Sequence, residues 1–197
     1  MKKSKTKLIS ILFLGMAVSG YSQYLATVSY TMSFATGETA DFINKASFRG
    51  LTLDGRGFLL DNFSLGGSVN WTTFYDNPPE QTISDGSLSI TGVPYKYLNA
   101  CPILFSAHYY TGTPDEGLRI FGGMGIGTYY INQRTDMGLW TSSEDHWHFG
   151  FAPEVGVLIP VGVSSNFVLS AKWNYAFKSG DSINFNWFGL NIGFTIG

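Results

Sequence analysis

The densest run of chemically capable side chains is Glu144-Asp145-His146-Trp147-His148. Two histidines two residues apart share one face of an extended strand, where two imidazoles could take up one zinc ion. His146 and His148 are therefore the candidate metal ligands. The same pair also fits a hydrogen-bonded role at a wet strand end, so no metal or other cofactor is assigned. Ser106, His108 and Glu154 supply the residue types of a hydrolase. They show no triad spacing, and Ser106 and His108 share a polar strand face. No catalytic residue is assigned and no enzymatic activity is expected. Gly122-Gly123-Met124-Gly125-Ile126-Gly127 superficially resembles a nucleotide loop. Such a loop must open a helix, and no helical pattern follows. Glycines beside bulky strand neighbours account for the run.

The other candidate residues are charges placed where charge is rare. Asp54, Arg56, Arg119, Glu154 and Lys172, with His108 and His148, fall on the polar side of alternating segments. Their meaning depends on the elements that carry them. The clearest is at the C-terminus, where Phe188, Leu190, Ile192, Phe194 and Ile196 alternate with Gly189, Asn191, Gly193, Thr195 and Gly197. A period of two marks a strand with two unlike faces. The same pattern predicts strands near residues 24–34, 47–59, 63–74, 95–110, 118–131, 146–159, 167–177 and 186–197. Leu60-Asp61-Asn62 reads as a tight turn, and Pro102 reads as a bulge. Residues 36–45, 76–93 and 132–145 read as polar loops, with Pro78-Pro79 and Asp85-Gly86 as breakers. Pro114-Asp115 marks a shorter turn.

The first 22 residues do not belong to this set. Lys2, Lys3, Lys5 and Lys7 precede an apolar run over residues 8–18, and Gly20 and Ser22 are small. This is the pattern of a cleaved signal peptide, residues 1–22, leaving residues 23–197 as one domain. The run is shorter than the ~20 residues a membrane helix needs. Of 12 basic residues four lie in this leader, so the remainder carries 8 against 14 acidic, a formal charge of −6. That balance argues against nucleic acid as a partner. The single cysteine, Cys101, excludes an internal disulfide. Aromatic residues make up 16%, charged residues only 13%, and there are 24 glycines.

An exported chain rich in aromatics and glycine but poor in charge fits a transmembrane β-barrel. A soluble β-sandwich or lipocalin-like barrel is the competing class. Two observations favour the membrane. Long and short connections alternate, with the long ones on the side away from the termini, as outer-membrane barrels require. The bulky apolar face is also too voluminous for the lumen of eight strands, so it must point outward. The expected fold is all-β: an eight-stranded antiparallel up-and-down transmembrane β-barrel with both termini periplasmic. The last strand closes it against the first. Aromatics at strand ends (Phe74, Tyr75, Tyr95, Tyr97, Tyr109, Tyr110, Tyr129, Tyr130, Trp147, Trp173, Tyr175, Trp187 and Phe188) are expected to form interfacial girdles.

The lumen then holds Asp54, Arg56, Arg119, Glu154 and Lys172, and buried charges must pair. Glu154 should meet Lys172 across a hairpin, and Arg56 should lie opposite Gly66, whose missing side chain leaves it room. The expected interior is a plug of interlocking polar side chains. The outer loops carry Glu38, Asp41, Asp76, Glu80, Asp85, Asp136, Glu144, Asp145 and Asp181 against Lys45, Arg134 and Lys178. They are solvated loops, or a surface for a protein partner or for divalent cations bridging lipopolysaccharide.

Gly57-Phe58-Leu59-Leu60-Asp61-Asn62-Phe63-Ser64-Leu65-Gly66, Pro102-Ile103-Leu104-Phe105 and His108-Tyr109-Tyr110 resemble the bacterial outer-membrane β-barrel domain family, the small OmpX/OmpA-transmembrane-like eight-stranded type. The resemblance covers the chain after the leader. It extends to a C-terminal assembly signal matched by Gly189, Ile192 and Phe194. Trp187 departs from the polar start of that signal, and three residues follow Phe194. The resemblance implies residence in the cell outer membrane among lipid and lipopolysaccharide, and insertion by the barrel-assembly machinery. A monomer with a structural, adhesive or surface-interaction role is expected. A narrow channel for small solutes and a lipid-A-modifying enzyme are the alternatives.

Overall fold

The computed structural model describes residues 24–85, 88–112, 117–162 and 164–197. The leader, Gly86 of the Asp85-Gly86 breaker and the Pro114-Asp115 turn lie outside the described residues. The strands are β1 (Tyr24–Thr36), β2 (Ser47–Leu60), β3 (Phe63–Asp76), β4 (Gln81–Asp85), β5 (Leu88–Gly92), β6 (Tyr95–Tyr110), β7 (Arg119–Met137), β8 (Trp140–Pro160), β9 (Ser165–Ala176) and β10 (Phe185–Ile196). One short helix, α1 (Gly37–Phe42), follows β1. Eight strands close into an antiparallel barrel in the order β1-β10-β9-β8-β7-β6-β3-β2, and β4 and β5 form a separate hairpin.

The seam is β1 against β10. Val28 pairs with Phe194, Tyr30 with Ile192, Met32 with Leu190 and Phe34 with Phe188, so the apolar stripes of both strands face outward together. A one-residue slip would turn both stripes inward. The stripe continues around the barrel through Leu51, Leu53, Val69, Trp71, Ile103, Phe105, Ile120, Met124, Ile126, Phe149, Val155 and Leu169, all exposed. In water such a surface would aggregate. In lipid it is the stable face, and closure pairs every strand edge.

The 36–45 segment, expected as a loop, holds α1, and four further expectations need correction. Pro102 makes no bulge: β6 stays in register with β3 and β7 on both sides of it. The cost is local, a break in the β3–β6 ladder between Val69↔Ile103 and Thr72↔Ala100, where proline brings no N–H. The polar segment after β3 is not all loop, because β4 and β5 pair from Gln81↔Gly92 to Asp85↔Leu88. Residues 132–145 are not a loop either. β7 and β8 stay paired up to Met137↔Trp140 across Gly138-Leu139. Gly138 has φ +60°, the conformation a two-residue hairpin turn demands at its first position. The fourth concerns the girdle. Phe74, Tyr110, Tyr129 and Trp187 are fully buried inside the barrel. Their strand parity puts them with the small polar residues of the lumen.

Candidate functional site

The lumen is where the sequence places its charges, and the barrel brings most of them to one carboxylate. Glu154 stands on β8 directly across from Lys172 on β9. Its Oε2 lies 3.4 Å from Lys172 Nζ, 3.4 Å from Arg56 Nη2 and 3.0 Å from His108 Nε2. Its Oε1 accepts a hydrogen bond from Ser170 Oγ at 2.7 Å. Arg56 in turn donates from Nε to Asp54 Oδ1 at 2.6 Å and from Nη1 to Tyr110 Oη at 3.1 Å. Asp54 and Glu154 thus meet Arg56 and Lys172 in one buried cluster, and pairing of this kind is the condition under which buried charge is tolerated. Arg56 does pair with Gly66 across β2 and β3. A Cβ at Gly66, however, would strike the backbone of Gly55 and Arg56, so the glycine makes room for main chain and not for the arginine side chain.

Arg119 lies further towards the end that carries the termini. Its guanidinium carbon sits 4.9 Å from the Tyr110 ring centre and 5.4 Å from that of Phe58, and it donates to the carbonyls of Asp61 and Gly112. Leu25, Phe58, Tyr110, Phe121, Leu158 and Val168 pack together at this end. Arg56 stacks over Phe121 at 4.8 Å. The charge cluster therefore rests on an apolar and aromatic floor.

The glycine run of β7 serves this packing. Gly123 pairs with His108, and a Cβ there would collide with the histidine ring. A Cβ at Gly125 would come within 3.2 Å of Leu104. The run is strand throughout, with no helix N-terminus to cradle a phosphate.

Above the cluster the interior is uncharged and polar. Thr31 Oγ1 lies 2.7 Å from Thr52 Oγ1 and donates to Asn191 Oδ1 at 2.8 Å. Asn70 donates to Thr52 Oγ1 at 2.7 Å and Asn191 to Ser170 Oγ at 3.1 Å. The void between these side chains is about 10 Å³, room for about one water molecule. Towards the opposite end Ile43, Phe74, Leu98, Tyr129, Ile131, Phe185 and Trp187 form a second apolar layer. Trp187 packs edge-on against Phe74 and Tyr129, with ring centres 6.4 and 5.8 Å away.

His146 and His148 stand on the same strand face, with ring centres 6.3 Å apart. His148 is buried against Phe185, and its Nδ1 donates to the Phe177 carbonyl at 2.9 Å. That bond sets its tautomer and docks the β9–β10 loop. Among the described residues no group of three or more His, Cys, Asp or Glu side chains is placed to hold a metal ion. Ser106 and His108 both face the lumen. Gly189 faces inward, while Ile192 and Phe194 lie on the outer surface.

The two inner aromatic layers were readable in principle. Tyr110 has the parity of Ser106 and His108, and Phe74 that of Ser64 and Thr72. An expectation of interfacial girdles at strand ends overrides that parity and is wrong at these positions.

An eight-stranded closed barrel with an apolar outer belt and a packed interior defines a class: the small β-barrels of the outer-membrane type. No protein-family model matches the chain, and no curated protein matches its sequence. Solved structures do match its fold. Neisserial surface protein A superposes with a TM-score of 0.60 at 13% identity, over 90% of this chain and 99% of that one. The outer membrane protein OprG from Pseudomonas aeruginosa gives 0.56 at 11%, over 90% and 97%. The attachment invasion locus protein of Yersinia pestis, solved in complex with the heparin analogue sucrose octasulfate, gives 0.55 at 13%, over 90% and 100%. At these identities the likeness is one of fold.

Proposed function

We propose that the protein is an integral outer-membrane barrel with a closed lumen that acts through its outward surface as a structural or surface-interaction protein, with no catalytic activity. The observation that carries this is the filling of the interior. A charge cluster on an aromatic floor, a polar middle with room for about one water, and a second apolar layer succeed one another along the axis. A solute would have to displace all three. On this reading the short turn at residues 61–62 and the barrel end that carries the start of β1 and the end of β10 face the periplasm. The β4–β5 and β7–β8 hairpins and α1 then face the cell exterior, where partners are met. Residues 1–22 serve as the cleaved export signal, and the barrel works as a monomer. The lumenal position of Ser106 and His108 supports a non-enzymatic role, since an acyl chain would lie on the other face of the wall.

The test is conductance. The purified chain, refolded and inserted into planar bilayers, should give no discrete current steps above the protein-free baseline. Reproducible steps of fixed size would replace this reading with that of a narrow channel. Mass spectra of lipid A from overexpressing cells should be unchanged.

A further inference from the structure

We propose that the outer wall of β3, β6 and β7, immediately beyond the apolar belt, binds the saccharide headgroup of a glycolipid in the adjoining leaflet. The proposal rests on the reading of this barrel as membrane-embedded.

The strand registers place the boundary. Trp71, Cys101, Tyr130 and Trp147 stand at one outward level of β3, β6, β7 and β8, beyond Val69, Ile103, Thr128 and Phe149, with Cys101 paired to Tyr130 and Tyr130 to Trp147. The three aromatics of this row, Trp71, Tyr130 and Trp147, mark the level of the lipid headgroups. The next outward row is polar on all four strands: Thr73 pairs with Asn99, Asn99 with Asn132, and Asn132 with Asp145. Above it Tyr75 pairs with Tyr97, and Tyr97 with Arg134. These rows keep the parity of the lipid belt. They therefore face the headgroup layer from the side, and the bulk solvent lies above them.

Tyr97, Asn99, Asn132, Arg134 and Asp136 line a shallow cavity of about 270 Å³ in this wall. Tyr75 extends it as an aromatic shelf, 5.1 Å from Tyr97 and 6.5 Å from Tyr95 between ring centres. The polar groups are already oriented. Thr73 donates to Asn99 Oδ1 at 2.8 Å, which leaves the Asn99 amide NH₂ as the group offered outward. Asn132 donates to Ser143 Oγ at 3.1 Å. Asp136 Oδ1 accepts from Arg134 Nε at 2.9 Å and from Thr141 Oγ1 at 2.8 Å.

Amide, carboxylate and guanidinium groups fix sugar hydroxyls by paired hydrogen bonds. The face of a tyrosine ring packs on the apolar C–H face of a pyranose. Arg134 adds a fork suited to a phosphate or carboxylate on the sugar. A protein partner would have to enter the headgroup plane to reach these groups. A sugar carried on a neighbouring lipid already lies at that depth, and its tether raises its effective concentration.

The experiment uses the full barrel in mixed micelles containing core-bearing lipopolysaccharide, lipid A, or the free core oligosaccharide. Native mass spectrometry reads retention. The intact barrel should retain core-bearing lipopolysaccharide at least about tenfold more tightly than lipid A. Tyr97→Ala and the double variant Asn132→Ala/Arg134→Gln should lose that margin, while Leu139→Ser at the β7–β8 tip should keep it. Heat-modifiable migration confirms that each variant is folded. Equal retention of lipid A and lipopolysaccharide, or retention indifferent to Tyr97→Ala and the double variant, overturns the proposal. Free oligosaccharide bound as tightly as lipopolysaccharide overturns the glycolipid as its source. The micelle assay does not depend on which compartment the barrel occupies, so a failure of the outer-membrane reading would show in cell fractionation and not here.

Discussion

Glu154 is the residue on which the interior turns. Its Oε2 meets Arg56, His108 and Lys172 at once, at 3.0 to 3.4 Å. Removing one partner from a buried charge cluster leaves the others uncompensated, at a cost of about 3–5 kcal/mol. Glu154→Gln keeps the shape and the hydrogen bond to Ser170 but abandons two cations. It should lower the free energy of unfolding by about 3 kcal/mol, measured by tryptophan fluorescence in urea with the barrel in lipid vesicles. The double variant Glu154→Gln/Lys172→Met should recover part of this loss, because contacting charges couple by about 0.5–3 kcal/mol. Additive losses would mean that Lys172 does not share the carboxylate. The pairing of Glu154 with Lys172 follows from hairpin parity and is visible in the sequence. The convergence of Arg56 and His108 is not, because it spans strands that meet only across the closed lumen.

At the scale of elements, the apolar alternation reports where a strand meets lipid, and it stops where lipid stops. β7 and β8 run for 19 and 21 residues, yet only the part up to Tyr130 and from Trp147 shows the period. Beyond it the outward row turns polar, with Asn132, Arg134, Ser143 and Asp145 in place of the apolar stripe, so the period that marks a strand fades although Ile131 and Met137 stay buried on the other face. The backbone pairing continues all the same, which is why the sequence reads as a loop where the structure has a hairpin. β4 and β5 are five residues each, too short for a period of two to stand out. α1 is six residues long, too short for a helical period to emerge. It is tied down from a distance: Glu38 accepts hydrogen bonds from the Asn184 backbone N–H and from its side-chain amide, both at 3.0 Å. These bonds hold the Glu38 carboxyl below its ordinary range. A lowered folded-state value means that the tie is present above the pKa of a free glutamate. It is lost as pH falls through the lower, folded value. Amide exchange at Asn184 should therefore stay slow, relative to intrinsic rates, at neutral pH and lose its protection in acid. In Glu38→Gln the protection should be weaker at neutral pH and should no longer fall on acidification.

The whole molecule is closed by one seam, and its two functions there can be separated. Phe194 pairs with Val28 two residues from the end of β10, near the terminal rim of the apolar belt. Ile126 sits near the middle of the outward stripe of β7. A cation costs about 2–4 kcal/mol at the bilayer midplane and only about 0–1 kcal/mol near an interface. If β10 served only as a wall, Ile126→Arg should be the more damaging change in every assay. If Gly189, Ile192 and Phe194 also form the signal by which an assembly machinery receives the chain, the order reverses in cells. We expect that reversal. Refolded in vitro into lipid vesicles, Phe194→Arg should be the more stable of the two by about 1–4 kcal/mol. In cells it should give the smaller yield of heat-modifiable barrel, with the remainder accumulating in the periplasm. The same order in both assays, with Ile126→Arg worse throughout, would reduce the C-terminal strand to a closing wall whose aromatic ending has no recognition role.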